Sequence, residues 1–214
     1  MLLYPGFTAL DAIGPYHALA HLPGWDFAFV ARERGLVSDG GHLTLTVELS
    51  IDEVDTCDLL VVPGGIPAVV MARTGHPLVD WIRHVHPTTQ WTASVCTGAL
   101  MLGAAGILDG LPATTHWYCH RELADFGAIP TDARVVTAGK VVTAAGVSAG
   151  IDMALQLVER IAGTRYAQGT QLDMEYEPLP PLKSGHPREA PSDVTEWLTG
   201  MYDEMLMPAE DPFG

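Results

Sequence analysis

Two short apolar runs, each closed by a tight turn, restrict this chain to few architectures. Asp58-Leu59-Leu60-Val61-Val62 is almost continuously apolar and stops at Pro63-Gly64-Gly65. A strand with no polar face is one covered on both sides, as parallel strands are when helices pack above and below them. Gln90-Trp91-Thr92-Ala93-Ser94-Val95 alternates, carries β-favouring side chains and stops at Cys96. The run that follows, Thr97-Gly98-Ala99-Leu100-Met101-Leu102-Gly103, is small and apolar, which suits a helix packed closely on a sheet. Strand-like and helix-like segments continue to alternate along the chain, so the expected class is α/β, a mostly parallel sheet between two layers of helix.

The remaining segments fit that scheme. Leu2–Tyr4, Trp25–Ala31 and Leu43–Val47 read as further strands, and Thr8 as the cap of a helix running towards Ala20 with Pro15 kinking it. Leu78–Val85 reads as a helix. Val135–Thr137 and Val141–Thr143, separated by Ala138-Gly139-Lys140, read as a hairpin or a pair of short strands. Ile151, Ala154, Leu155, Val158, Ile161 and Ala162 recur at helical spacing. Beyond Glu177, five prolines (Pro178, Pro180, Pro181, Pro187, Pro191) predict extended, irregular chain, with a short helix recovered over Asp193–Leu206. The expected organisation is one α/β domain over residues 1–177 and a Pro-rich, acidic extension over 178–214 that is not a separate domain.

Composition narrows the function classes. Hydrophobic residues are 48% of the 214, which excludes a disordered chain, and no apolar stretch reaches the roughly 18 residues of a membrane span. The first residues carry no signal-peptide pattern, so the expected location is the cytoplasm. Three cysteines, Cys57, Cys96 and Cys119, are too few and odd in number for a disulfide framework. The formal net charge is −15. From Thr170 onward ten acids stand against Lys183 and Arg188, the opposite of what a phosphate backbone attracts, so nucleic acid is not an expected partner.

A cysteine at a strand-to-helix turn is held in an exposed, strained elbow, the placement used for nucleophiles. The helix N-terminus behind Cys96 is expected to lower its pKa; the alternative is a buried structural thiol. Gly64 and Gly65 permit a backbone whose N–H groups face a pocket, or simply a turn that needs glycine. Asp11, within Ala9-Leu10-Asp11-Ala12-Ile13, is a helix-cap residue or a pocket acid. Thr97 offers a hydroxyl to substrate or water, or caps its own helix. His116 and His120, with Cys119 between them, have helical spacing, but no further ligand matches them, so no metal is expected. No local pattern marks a histidine as the base of a Cys-His dyad.

Val62-Pro63-Gly64-Gly65, Ser94-Val95-Cys96-Thr97-Gly98, Thr114-Thr115-His116-Trp117 and Gly146-Val147-Ser148-Ala149-Gly150-Ile151-Asp152 together resemble the ThiJ/PfpI superfamily, over nearly the whole chain. The resemblance implies a flavodoxin-like three-layer sandwich, a reactive cysteine on a nucleophile elbow, and a homodimer. It also implies more strand residues ahead of Leu3 than this sequence has. Within the superfamily the chain most resembles the isonitrile (isocyanide) hydratases, through Leu10-Asp11 with Gly14-Pro15 and through Gln171-Leu172-Asp173-Met174-Glu175-Tyr176 with Pro180-Pro181. Carried over, Cys96 is the nucleophile, Asp11 the acid–base residue and Thr97 an assisting hydroxyl. Gly64, Gly65, Gly146 and Val147 then face the substrate as backbone donors. No cofactor is implied, and the partner is a small-molecule isocyanide. Two other readings stay open: another cysteine-dependent hydratase or hydrolase, glyoxalase-like or amidase, and a non-catalytic ligand- or redox-sensing domain.

Overall fold

The computed structural model describes residues 1–206. Its strands are β1 (Val30–Ala31), β2 (Gly35–Ser38), β3 (Thr44–Val47), β4 (Leu49–Ser50), β5 (Leu59–Val62), β6 (Trp91–Val95), β7 (Pro112–Ala113), β8 (Ile129–Pro130), β9 (Val135–Ala138) and β10 (Val141–Ala144). Its helices are α1 (Ala9–Leu19), α2 (Ile66–Thr74), α3 (Pro77–Val85), α4 (Gly98–Ala104), α5 (Ala149–Ala162), α6 (Thr164–Asp173) and α7 (Ser192–Leu206).

The central sheet has the order β5-β6-β10-β9. β5, β6 and β10 are parallel, with Val62 beside Ser94 and Ala144 beside Val95, while β9 returns antiparallel to β10 as the predicted hairpin. Both apolar runs are therefore neighbouring strands whose carboxyl ends meet. Residues 60–62 and 92–95 are buried, and the second strand is covered on both faces although it alternates, with Thr92 and Ser94 wholly buried. α1, α5 and α6 pack together as one layer, and α2, α3 and α4 form the other. This is the expected three-layer α/β sandwich.

Several local expectations are corrected. Leu2–Tyr4 is not a full strand: Leu2 makes a single parallel bridge to Val30, and its N–H donates to Val61 O at 3.0 Å. That segment nevertheless stitches β1 to β5, because Leu3 N–H also reaches Val30 O at 2.7 Å. Only Val30–Ala31 of the Trp25–Ala31 run is strand. The alternating Phe27 and Phe29 instead pack on Tyr16, with ring centroids 4.9 and 5.4 Å from it, so their period reflects an aromatic cluster and no ladder. Thr8 precedes α1 without a side-chain cap bond. It ties the helix start to the glycine turn through its backbone, its N–H donating to Gly64 O at 2.8 Å. The C-terminal helix forms where expected, from Ser192 to Leu206. The rest of the acidic extension, residues 207–214, lies outside the described residues.

Candidate active site

Cys96 follows the last residue of β6 and precedes α4 by one residue, with φ of +56°. A non-glycine residue in the left-handed region costs about 1–3 kcal/mol and persists only where its surroundings hold it. Here they do. The Cys96 N–H donates to Ala144 O and Ala145 O, both at 3.1 Å, and its carbonyl accepts from Thr115 Oγ1 at 2.7 Å. Gly98 is obligatory behind it, since a Cβ there would lie 2.2 Å from Val62 O. The elbow therefore aims a thiol that is only 5% exposed into the end of the sheet.

Asp11 is brought to this thiol from the first turn of α1. Its side chain is wholly buried and bonds across the fold, not to its own helix start. Oδ2 accepts the Gly64 N–H at 2.9 Å, and Oδ1 has no hydrogen-bond partner. Burial lifts the carboxyl from 3.8 to about 7, opposed by the Gly64 N–H and the Cys96 thiol. The same burial, with the Asp11 charge added, pushes the Cys96 thiol well above 9.0. The expected lowering of the thiol pKa by its helix is thus reversed. α4 has only 7 residues, and desolvation beside a carboxyl outweighs the N–H groups of Thr97 and Val147 that reach the sulfur. Thiol and carboxyl titrate as a pair, in which losing one proton makes the second harder to lose.

Thr97 Oγ1 donates to Gly65 O at 2.9 Å and accepts from Gly65 N–H at 2.8 Å. The hydroxyl caps nothing. It locks the Pro63-Gly64-Gly65 turn against the elbow. The N–H groups of Gly64 and Gly65, expected as open donors, are thus spent on Asp11 and Thr97. Their glycine requirement is steric and conformational. A Cβ on Gly64 would stand 2.6 Å from Thr97 N, and Gly65 has φ of +147° with Gly6 O at 2.5 Å from any added Cβ. Val147 is a donor to the sulfur and is itself left-handed, with φ of +37°. Gly146 lets an aromatic ring close in, because an added Cβ would lie 2.8 Å from His116 Cδ2.

That ring belongs to a cluster only half visible in the sequence. His116 lies 5.3 Å from Tyr202 and 5.5 Å from Trp117, and Tyr202 lies 4.9 Å from Tyr118. Burial holds His116 down at about 4, so it is neutral at physiological pH. Tyr202 arrives from α7, and its phenol is raised by burial and by the charges of Cys96 and Cys119. Nothing in an acidic, Pro-preceded helix marked Tyr202 as a site residue; an aromatic on its inward side was the only sign. The expected one-turn spacing of His116 and His120 is absent, because the chain from Trp117 to Phe126 is 3₁₀ and His116 lies outside it. Among the described residues, no three His, Cys, Asp or Glu side chains are placed to hold a metal.

An α/β sandwich with a strained, buried cysteine between a strand and a helix, and a buried carboxyl against it, defines a cysteine-centred site in a doubly wound fold. Residues 1–160 match the model of the DJ-1/PfpI family, and the chain belongs to that family. The isonitrile hydratase of Pseudomonas putida is 40% identical over 195 residues, covering 91% of this chain and 85% of that one. A deglycase of Thermococcus kodakarensis is 31% identical over 63% of this chain and 81% of its own. The crystal structure of a ThiJ/PfpI family protein from Pseudomonas syringae superposes with a TM-score of 0.89 at 35% identity, covering 96% of this chain and 86% of that one.

Proposed function

We propose that this protein hydrates isocyanides to N-substituted formamides through a covalent thioimidate on Cys96. The observation that carries the reading is the buried Asp11 carboxyl, held near neutrality beside a soft sulfur nucleophile. An isocyanide carbon needs a nucleophile and a proton on the same atom. The Cys96–Asp11 pair supplies both: the sulfur bonds to the carbon, and the proton shared by thiol and carboxyl passes to that carbon, giving R–N=CH–S. Asp11, now ionised, takes a proton from water as the water oxygen attacks the same carbon. Asp11 passes that proton to nitrogen, the C–S bond breaks as the hydroxyl oxygen becomes the carbonyl, its proton returns to the sulfur, and R–NH–CHO leaves. The Thr97 and Val147 N–H groups stabilise sulfur whenever it carries charge.

The family resemblance and the 40%-identical hydratase support the same chemistry. The neutral His116 and the rings of Trp117 and Tyr202 suit an apolar substituent on nitrogen. The reading includes a homodimer in the cytoplasm; no helix among the described residues is long and apolar enough to cross a membrane. The test is incubation with cyclohexyl isocyanide and mass-spectrometric search for N-cyclohexylformamide, with Cys96→Ala alongside. Formamide from the parent and none from the variant is the expected result. Turnover persisting in Cys96→Ala would sink the covalent route, and no formamide from folded parent protein would sink the hydratase reading. Release of ammonia from amides would instead mark an amidase.

A further inference from the structure

Three non-glycine residues among those described adopt left-handed backbone: Cys96, Val147 and Glu175, with φ of 56°, 37° and 46°. The first two meet at the sulfur. The third lies far along the chain, next to Tyr176, whose hydroxyl reaches back to Asp152 at the start of α5. The turn from Ala144 to Ser148 holds Cys96 by accepting its N–H through Ala144 and Ala145, and the Val147 N–H favours the thiolate.

Arg134 grips that turn twice. Its carbonyl accepts the Ala145 N–H at 2.9 Å, and its Nη2 donates to Ser148 Oγ at 3.1 Å. Val147 therefore lies between two residues fixed by one arginine. The guanidinium also donates through Nε to Asp152 Oδ2 at 2.7 Å, and Tyr176 OH donates to the same oxygen at 3.1 Å. Asp152 is on the first turn of α5, so the helix start, the residue leading into β9 and the chain beyond α6 converge on one carboxylate. The pair is partly exposed, 52% for Arg134 and 31% for Asp152, so its contribution is to geometry more than to stability.

We propose that Arg134, Asp152 and Tyr176 form a latch that holds the Ala144–Ser148 turn, and with it the carbonyls that fix the Cys96 N–H, making Arg134 and Tyr176 positioning residues for the nucleophile. The proposal rests on Cys96 as the reactive group but not on its substrate. Releasing the latch lets the turn shift, and with it the Val147 N–H that favours thiolate. The readout is the rate of Cys96 carbamidomethylation by iodoacetamide across pH, followed by mass spectrometry of the Cys96 peptide. In Arg134→Ala the neutral-pH rate falls about tenfold and the profile moves up by about one unit. Tyr176→Phe moves it the same way by less, and Arg134→Lys restores part of the loss. An unmoved profile in folded Arg134→Ala overturns the latch, as does faster alkylation without a shift, which would mean that the turn had merely opened. Should Arg134→Ala not fold, Tyr176→Phe decides alone, because it removes one hydroxyl and an unmoved profile there has the same meaning. No isocyanide is used, so the outcome stands even if no formamide is ever formed.

Discussion

At Asp11, function and stability pull in opposite directions. Its carboxyl ionises near 7 in the folded chain against 3.8 as a free side chain. Between those values the folded state binds the extra proton, so folding is progressively disfavoured as pH rises through that window and the full penalty remains above it. Asp11→Asn keeps an oxygen for the Gly64 N–H and removes the charge. It should raise unfolding free energy by about 2–4 kcal/mol at pH 8, with the gain vanishing towards pH 4, while formamide production stops. Chemical denaturation of parent and variant at the two pH values measures this, and an equal gain at both would refute the buried-charge account. Gly64→Ala is the opposite case. Its methyl has Thr97 N at 2.6 Å and Asp11 Oδ2 at 2.8 Å, so we expect a loss of about 2 kcal/mol or more and a displaced carboxyl. A variant with parental stability and activity would show that the turn has more room than this.

Among the elements, α7 contributes most beyond what its sequence announces. Tyr202 sits on His116, and Tyr118 OH donates to Asp203 Oδ1, so this helix closes the aromatic wall beside the thiol. Tyr202→Ala should speed alkylation of Cys96 several-fold with little change in melting temperature, since it uncovers the thiol without touching the sheet. An unchanged rate would place the access route elsewhere. Legibility follows from how local each feature is. The Cys96 elbow and the strands on either side are written in contiguous residues, so periodicity and turn chemistry expose them. Asp11 reads as a cap at least as readily as a pocket acid, because a carboxyl in a first turn is consistent with both roles. Only the Gly64 contact, 53 positions away, separates them. Tyr202 depends on a tertiary approach with no local pattern behind it. Trp25–Phe29 misled for the converse reason, because side chains alternated towards a neighbouring tyrosine and imitated a strand.

Across the whole molecule, 26 acids oppose 11 lysines and arginines. Self-repulsion of a net −15 weakens the compact state and is screened by salt, with a Debye length falling from about 30 Å at 0.01 M to about 10 Å at 0.1 M. The melting temperature should therefore rise over that range, read by calorimetry; a fall would mean that exposed pairs such as Arg188–Asp132 outweigh the repulsion. The fold class was legible at this scale because two doubly buried strands leave few alternatives.

The position of Tyr202 also has a meaning in time. A ribosome reaches it about a hundred residues after Cys96, roughly 5–20 s later at 5–20 residues per second. Through that interval the nascent chain already carries the sulfur, the aspartate and the glycine turn, while the ring that walls them has yet to be made. The sulfur is therefore more open to oxidants during synthesis than in the folded chain, and α7, the last of the described helices, completes its wall.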